Sequence, residues 1–105
     1  MSAILFVRVR STLEPEELER RLLARRPRFR EVPGLVQKIY GRDEKTGELC
    51  GIYFFEDRSD LTAFRETELA KTIPSAYEAL EVRPEIYEVL YPLYPERGPF
   101  AENSE

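Results

Sequence analysis

Arg8, Lys38, Tyr40 and Tyr53 are polar side chains set on strand-like stretches among bulky apolar neighbours. In a site poor in water, a lysine or arginine stabilises an anion far more than it would in bulk solvent. Phenolic hydroxyls beside an aromatic wall can hydrogen-bond to the same charge. Much other chemistry is closed to the chain, because it has no histidine and one cysteine. A Ser-His-Asp or Cys-His nucleophile cannot be built, and a metal site of the zinc type is not expected. Cys50 lies in an apolar run with no sequence neighbour to lower its pKa, so it reads as a small buried hydrophobe.

A sheet must position these residues. The uncharged stretch Gly51-Ile52-Tyr53-Phe54-Phe55 reads as its central strand. Both parities are large, Ile52 and Phe54 on one side and Tyr53 and Phe55 on the other, so both faces of the sheet need a cover. Before it, the pattern predicts a strand over Ala3–Arg10, with Leu5, Val7 and Val9 as its apolar face. A helix then begins around Pro15 and buries Leu18, Leu22 and Phe29, its regular part ending near Arg26 at Pro27 and continuing irregularly toward Val32. Leu35–Arg42 is the second strand, and Asp43–Glu48 is a hairpin loop into the central one. Asp57 or Ser59 caps a second helix that turns Leu61 and Phe64 inward and stops at Pro74. A short turn over Ser75–Leu80 and a last strand over Glu85–Tyr91 complete the order.

That order, βαββαβ, is the ferredoxin-like α+β arrangement: a four-stranded antiparallel sheet with both helices on one face. Leu5, Val7, Val9, Ile39, Ile52 and Phe54 are assigned to the covered face. Phe6, Arg8, Val36, Lys38, Tyr40, Tyr53, Phe55, Ile86, Glu88 and Leu90 fall on the open one, with Glu88 as the counter-ion for Arg8 or Lys38. An apolar open face marks an interface or a ligand surface. A second copy of the chain would cover it as an isologous homodimer, whereas an RNA platform would use Phe6, Tyr53 and Phe55 to stack bases. The net charge of −4 and the lack of the Lys/Arg-Gly-aromatic signature on the third strand argue against nucleic acid. The 105 residues suit one domain over 1–95 and a polar tail over 96–105. No apolar run of about 18 residues and no secretory leader is evident, so no membrane span and a cytoplasmic location are expected.

The run Pro33-Gly34-Leu35, Lys38 and Gly51-Ile52-Tyr53-Phe54-Phe55, followed by a helix and an apolar fourth strand, resembles the dimeric α+β barrel superfamily. Within it the chain is most similar, from about Ala3 to Pro95, to the YdhR-like monooxygenases, relatives of the antibiotic-biosynthesis monooxygenases. The resemblance implies a homodimer through the open sheet face, with a pocket in each chain between sheet and helices. It also implies oxidation of a small aromatic, phenol- or quinol-like substrate by dioxygen with no cofactor and no metal. Lys38, Arg8 and Tyr53 are then the candidate catalytic residues, stabilising a phenolate or superoxide-like anion. Tyr40, Phe64 and Tyr77 are the candidate substrate-binding residues. Each has a plainer role open to it: an ion pair or packing at the dimer seam for Lys38, Arg8, Tyr40 and Tyr53, core packing for Phe64, and a place at the rim for Tyr77. A non-catalytic dimeric barrel that binds a small ligand is the alternative. Haem-degrading relatives hold iron with a histidine, so that branch is disfavoured.

Overall fold

A computed structural model describes residues 1–100. The chain runs β1 (Ala3–Ser11), α1 (Pro15–Phe29), β2 (Leu35–Arg42), β3 (Leu49–Phe55), α2 (Arg58–Arg65), α3 (Glu68–Lys71), α4 (Ile73–Ala76) and β4 (Ala79–Glu88). The strands form one antiparallel sheet in the order β2-β3-β1-β4, the ferredoxin-like topology. Of the tail expected over 96–105, residues 101–105 lie outside the described residues.

Local chemistry accounts for most element ends. Pro15 opens α1, with Glu16 and Glu17 in its first turn facing the positive end of the helix dipole. The side chain of Asp57 accepts the backbone N–H of Ser59 and so caps α2. Pro27 does not end α1 near Arg26. The helix runs on to Phe29, buried at 3 % exposure, and then unwinds as Glu31 N–H bonds Arg28 O and Val32 N–H bonds Phe29 O. Burial of Phe29 outweighs the one hydrogen bond that Pro27 removes. The last strand starts six residues before the predicted Glu85 and contains Pro84. An edge strand tolerates proline, since its outer N–H groups bond no neighbour. Leu90 and Tyr91 lie beyond it.

The predicted division of the two faces is only half right. Leu5, Val7 and Val9 do point to the helices and are buried. Leu5 pairs directly with Tyr53, and Ala3 with Phe55, and opposed residues of an antiparallel pair share a face. Tyr53 and Phe55 are therefore inside, at 2 % and 0 % exposure, while Ile52 and Phe54 point outward. The register shifts between Leu35 and Gln37, so Val36 is an extra residue; Leu35 lies opposite Phe55 and Lys38 opposite Tyr53. This bulge puts Lys38 and Tyr40 on the helix side and Ile39 on the other. Ile86 pairs with Leu5 and Glu88 with Ala3, so both also leave the open face.

The core beneath the helices joins Leu5, Val7, Tyr53 and Phe55 of the sheet to Leu18, Phe29, Leu61, Phe64 and Ile73. Gly34 fixes the approach of the chain to it. Its φ is +76°, and a Cβ there would lie 2.2 Å from Cγ of Asp60. Gly34→Ala is expected to destabilise the fold by about 1–3 kcal/mol. An unchanged urea midpoint for that variant would contradict this account of the turn.

Candidate functional site

β2 is an edge strand, so its flank beside α1 has no further strand to cover it. α1 is anchored by Leu18 and Phe29. Between helix and strand lies a cleft of about 660 Å³, lined by Leu22, Phe29, Lys38, Tyr40 and Leu49 among others. A small inner recess continues from it to Gly51, Tyr53, Ile73 and Tyr77. The volume is that of an ordinary small-molecule site.

Lys38 dominates its chemistry. The Nζ stands 3.4 Å from the ring centre of Phe29, 4.3 Å from that of Tyr40 and 4.5 Å from that of Tyr53. Among the described residues it has no carboxylate partner and no hydrogen bond; Glu88, the expected counter-ion, does not meet it. Three ring faces favour the ammonium, yet they replace little of the hydration that it gives up. Burial, and secondarily the nearby charge of Arg25, lower its pKa from 10.5 to about 7. In the unfolded chain the amine holds its proton up to about pH 10.5, so between the two values the unfolded state binds more protons. Stability should therefore rise with pH across that window, the gain being complete above 10.5 and lost as pH falls to about 7. Lys38→Met should flatten that rise in urea titrations. A slope unchanged by the substitution would show that Lys38 is not desolvated as described.

Two phenols, Tyr40 and Tyr53, flank the amine, and a third, Tyr77, lines the inner recess with them. Burial raises the pKa of Tyr40, Tyr53 and Tyr77, and for Tyr40 and Tyr53 the neighbouring Tyr77 adds to the rise. All three are thus protonated donors at neutral pH. The hydroxyl of Tyr77 is buried at the inner end and makes no hydrogen bond of ordinary geometry among the described residues, although the Arg25 guanidinium lies near enough to pull its pKa down against the burial. Arg25 covers that end, its guanidinium 5.3 Å from the ring centre of Tyr77 while it donates to the carbonyl of Leu69.

The structure therefore brings together Lys38, Tyr40, Tyr53 and Tyr77. Phe64 lies behind them rather than in the cleft, its ring centre 5.3 Å from that of Tyr53. Arg8 is elsewhere: it stands on the opposite face of the sheet, paired with Asp43 at 2.9 Å and stacked over Phe6. Period-two alternation had grouped Arg8 with Lys38, and the register separates them. Two contributors had not been singled out. Arg25 is hard to see because one arginine among many on a helix carries no signal. Gly51 did have one, since a glycine within an aromatic strand marks a close approach. A Cβ there would lie 3.0 Å from Cε1 of Tyr53 and 3.6 Å from Cε of Lys38, so the bare backbone makes room for both.

The family described as "Putative mono-oxygenase ydhR" matches residues 4–94. The chain belongs to that family. No curated protein sequence matches it. Among solved structures, this family member is similar to SnoaB, a cofactor-independent oxygenase from Streptomyces nogalater, with a TM-score of 0.71 at 14% identity over 88% of this chain and 96% of that one. An antibiotic biosynthesis monooxygenase from Nitrosomonas europaea, itself described as putative, gives a TM-score of 0.70 at 18% identity over 87% and 92% of the two chains. A dimeric ferredoxin-like protein of unknown function from Thermobifida fusca gives 0.68 at 11% identity over 85% and 92%. At such identities the likeness is one of fold. No helix among the described residues is long and apolar enough to cross a membrane.

Proposed function

We propose that this ydhR-family chain is a cofactor-independent monooxygenase that oxidises a small phenol or quinol in the cleft between α1 and β2. The observation that carries the reading is Lys38: an amine with a pKa of about 7, enclosed by three aromatic rings, with no counter-ion among the described residues. A phenol entering the cleft gives its proton to the neutral amine and remains as the phenolate beside the resulting ammonium. Tyr53 and Tyr77 donate to the same oxygen from the inner recess. The phenolate transfers one electron to dioxygen, and the resulting phenoxyl radical, its spin shared with the ring, combines with superoxide at a ring carbon bearing hydrogen. That carbon then loses its proton as the O–O bond breaks, leaving a quinone carbonyl and one water. Both atoms of dioxygen are accounted for, and the substrate is the only reductant.

The polar lining favours this reading over a purely passive ligand-binding barrel, which would need only apolar walls. The fold likeness to SnoaB, a cofactor-independent oxygenase, supports it as well. The test is dioxygen uptake across a panel of phenols and quinols. Uptake matched by one equivalent of quinone is expected, whereas a ligand that binds without uptake would favour the passive barrel.

The same proposal includes a homodimer through the open sheet face. Ile4, Phe6, Ile52 and Phe54 lie on that face, with Ile39 and Tyr87 about half exposed. The helices cover only the opposite side. Leu90, Tyr91 and Leu93 beyond β4 are more exposed still. A second copy would bury these apolar surfaces together, and the Thermobifida fusca relative is described as dimeric. Light scattering at micromolar concentration should give twice the chain mass; a monomer would contradict the pairing.

A further inference from the structure

The mouth of the cleft carries charge that the oxidation step does not use. Arg26 and Arg30 lie one turn apart at the C-terminal end of α1, beside the start of β2, and Arg42 lines the same cleft from the opposite end of that strand. Among the described residues none of the three has a carboxylate within ion-pair distance. Arg8, Arg20, Arg21 and Arg83 each have one. Glu19 is the single carboxylate in the lining, although the chain as a whole carries a net charge of −4. Positive charge thus lines the cleft of an acidic protein, where low-dielectric walls focus its field inward. That field reaches the floor: Arg25, Arg26 and Arg30 pull the phenol of Tyr40 downward against the effect of burial.

We infer that the substrate is an amphiphilic aromatic acid, with its phenolic ring over Lys38 and Tyr40 and its carboxylate held at the mouth by Arg26 and Arg30. This rests on the phenol-binding reading and adds a second handle to it, which fixes the direction in which the ring enters. Guanidinium groups suit that task because two parallel N–H groups match a carboxylate. Both are exposed, so water and salt weaken the attraction and the gain is about tenfold in affinity rather than many orders of magnitude.

Three naphthols that differ in one substituent test the inference: a hydroxynaphthoate, its uncharged carboxamide and the matching aminomethyl cation. Their dissociation constants are measured by calorimetry for the wild type, for Arg26→Gln/Arg30→Gln, and for Arg42→Gln at the far end of β2 as the comparison. The acid should bind about tenfold more tightly than the amide, and the cation most weakly. The Arg26→Gln/Arg30→Gln substitution, or added salt, should shrink the preference for the acid while leaving the affinity of the amide within about twofold, and Arg42→Gln should leave that preference nearly intact. Equal affinities for acid and amide would overturn the carboxylate subsite and leave the phenol site standing. Failure of all three naphthols to bind would overturn both.

Discussion

Lys38→Met should reduce the oxidation of a phenol by about 10²–10³-fold in kcat, the scale set by removing one preorganised charge or donor from a developing oxyanion. Methionine keeps the length and the apolar stem, so the packing against Phe29, Tyr40 and Tyr53 is retained. A hydrated ammonium no longer has to be buried, and the variant should be more stable than the wild type below about pH 7. Loss of activity would then accompany a gain in stability, which separates a chemical role from a structural one. The loss should fall on kcat more than on KM, because the ammonium acts on charge that appears as the phenol ionises. Lys38→Arg keeps a cation but cannot accept the phenol's proton, so it should restore binding of the phenolate form without restoring turnover at neutral pH. Activity in Lys38→Met within a few-fold of wild type would remove the residue from the mechanism.

Phe64→Ala should produce the largest loss of stability. The ring is at 2 % exposure and stands 5.3, 5.6 and 6.2 Å, centre to centre, from Tyr53, Phe55 and Phe29. It is the point at which α2, the central strand and the end of α1 meet. Truncation of a buried phenylalanine costs about 3–5 kcal/mol, a large part of the total for a domain of this size. The unfolding midpoint should fall by roughly 10–30 °C. The ring also backs Tyr53, so the folded fraction that remains should bind a phenol less tightly than wild type. Phe64→Leu, which fills most of the volume, should recover most of the stability. A Phe64→Ala midpoint within a few degrees of wild type would mean that the aromatic cluster does not hold the three elements together.

The order of elements was legible in the sequence because each carries its own signal: Pro15 and the glutamates opening α1, Asp57 capping α2, the charge-free run of β3. Face assignment was not. In β1 the alternation of Leu5, Val7 and Val9 with Arg8 and Arg10 separates inside from outside. In β3 the aromatics occupy both parities, and only pairing with β1 decides between them. The bulge at Val36 is likewise invisible to a period-two reading, and it carries Lys38 and Tyr40 to the side of the helices. Lys38, Tyr40 and Tyr53 were thus correctly read as sharing a face, and that face was attached to the wrong side of β1. Arg8 was drawn into the group by the same error of phase. The cleft itself depends on how far α1 stands from an edge strand, a tertiary distance that local pattern does not encode.

The central claim is that this cleft ionises a bound phenol by placing it against Lys38. Ultraviolet difference spectroscopy of a bound naphthol under anaerobic conditions measures that ionisation directly, since the naphtholate absorbs at longer wavelength and no turnover intervenes. In the wild type the bound naphthol should ionise at least about one pH unit below its value in free solution, and the shift should vanish in Lys38→Met. A bound naphthol whose ionisation is unshifted, or shifted upward as burial alone would dictate, would contradict the account.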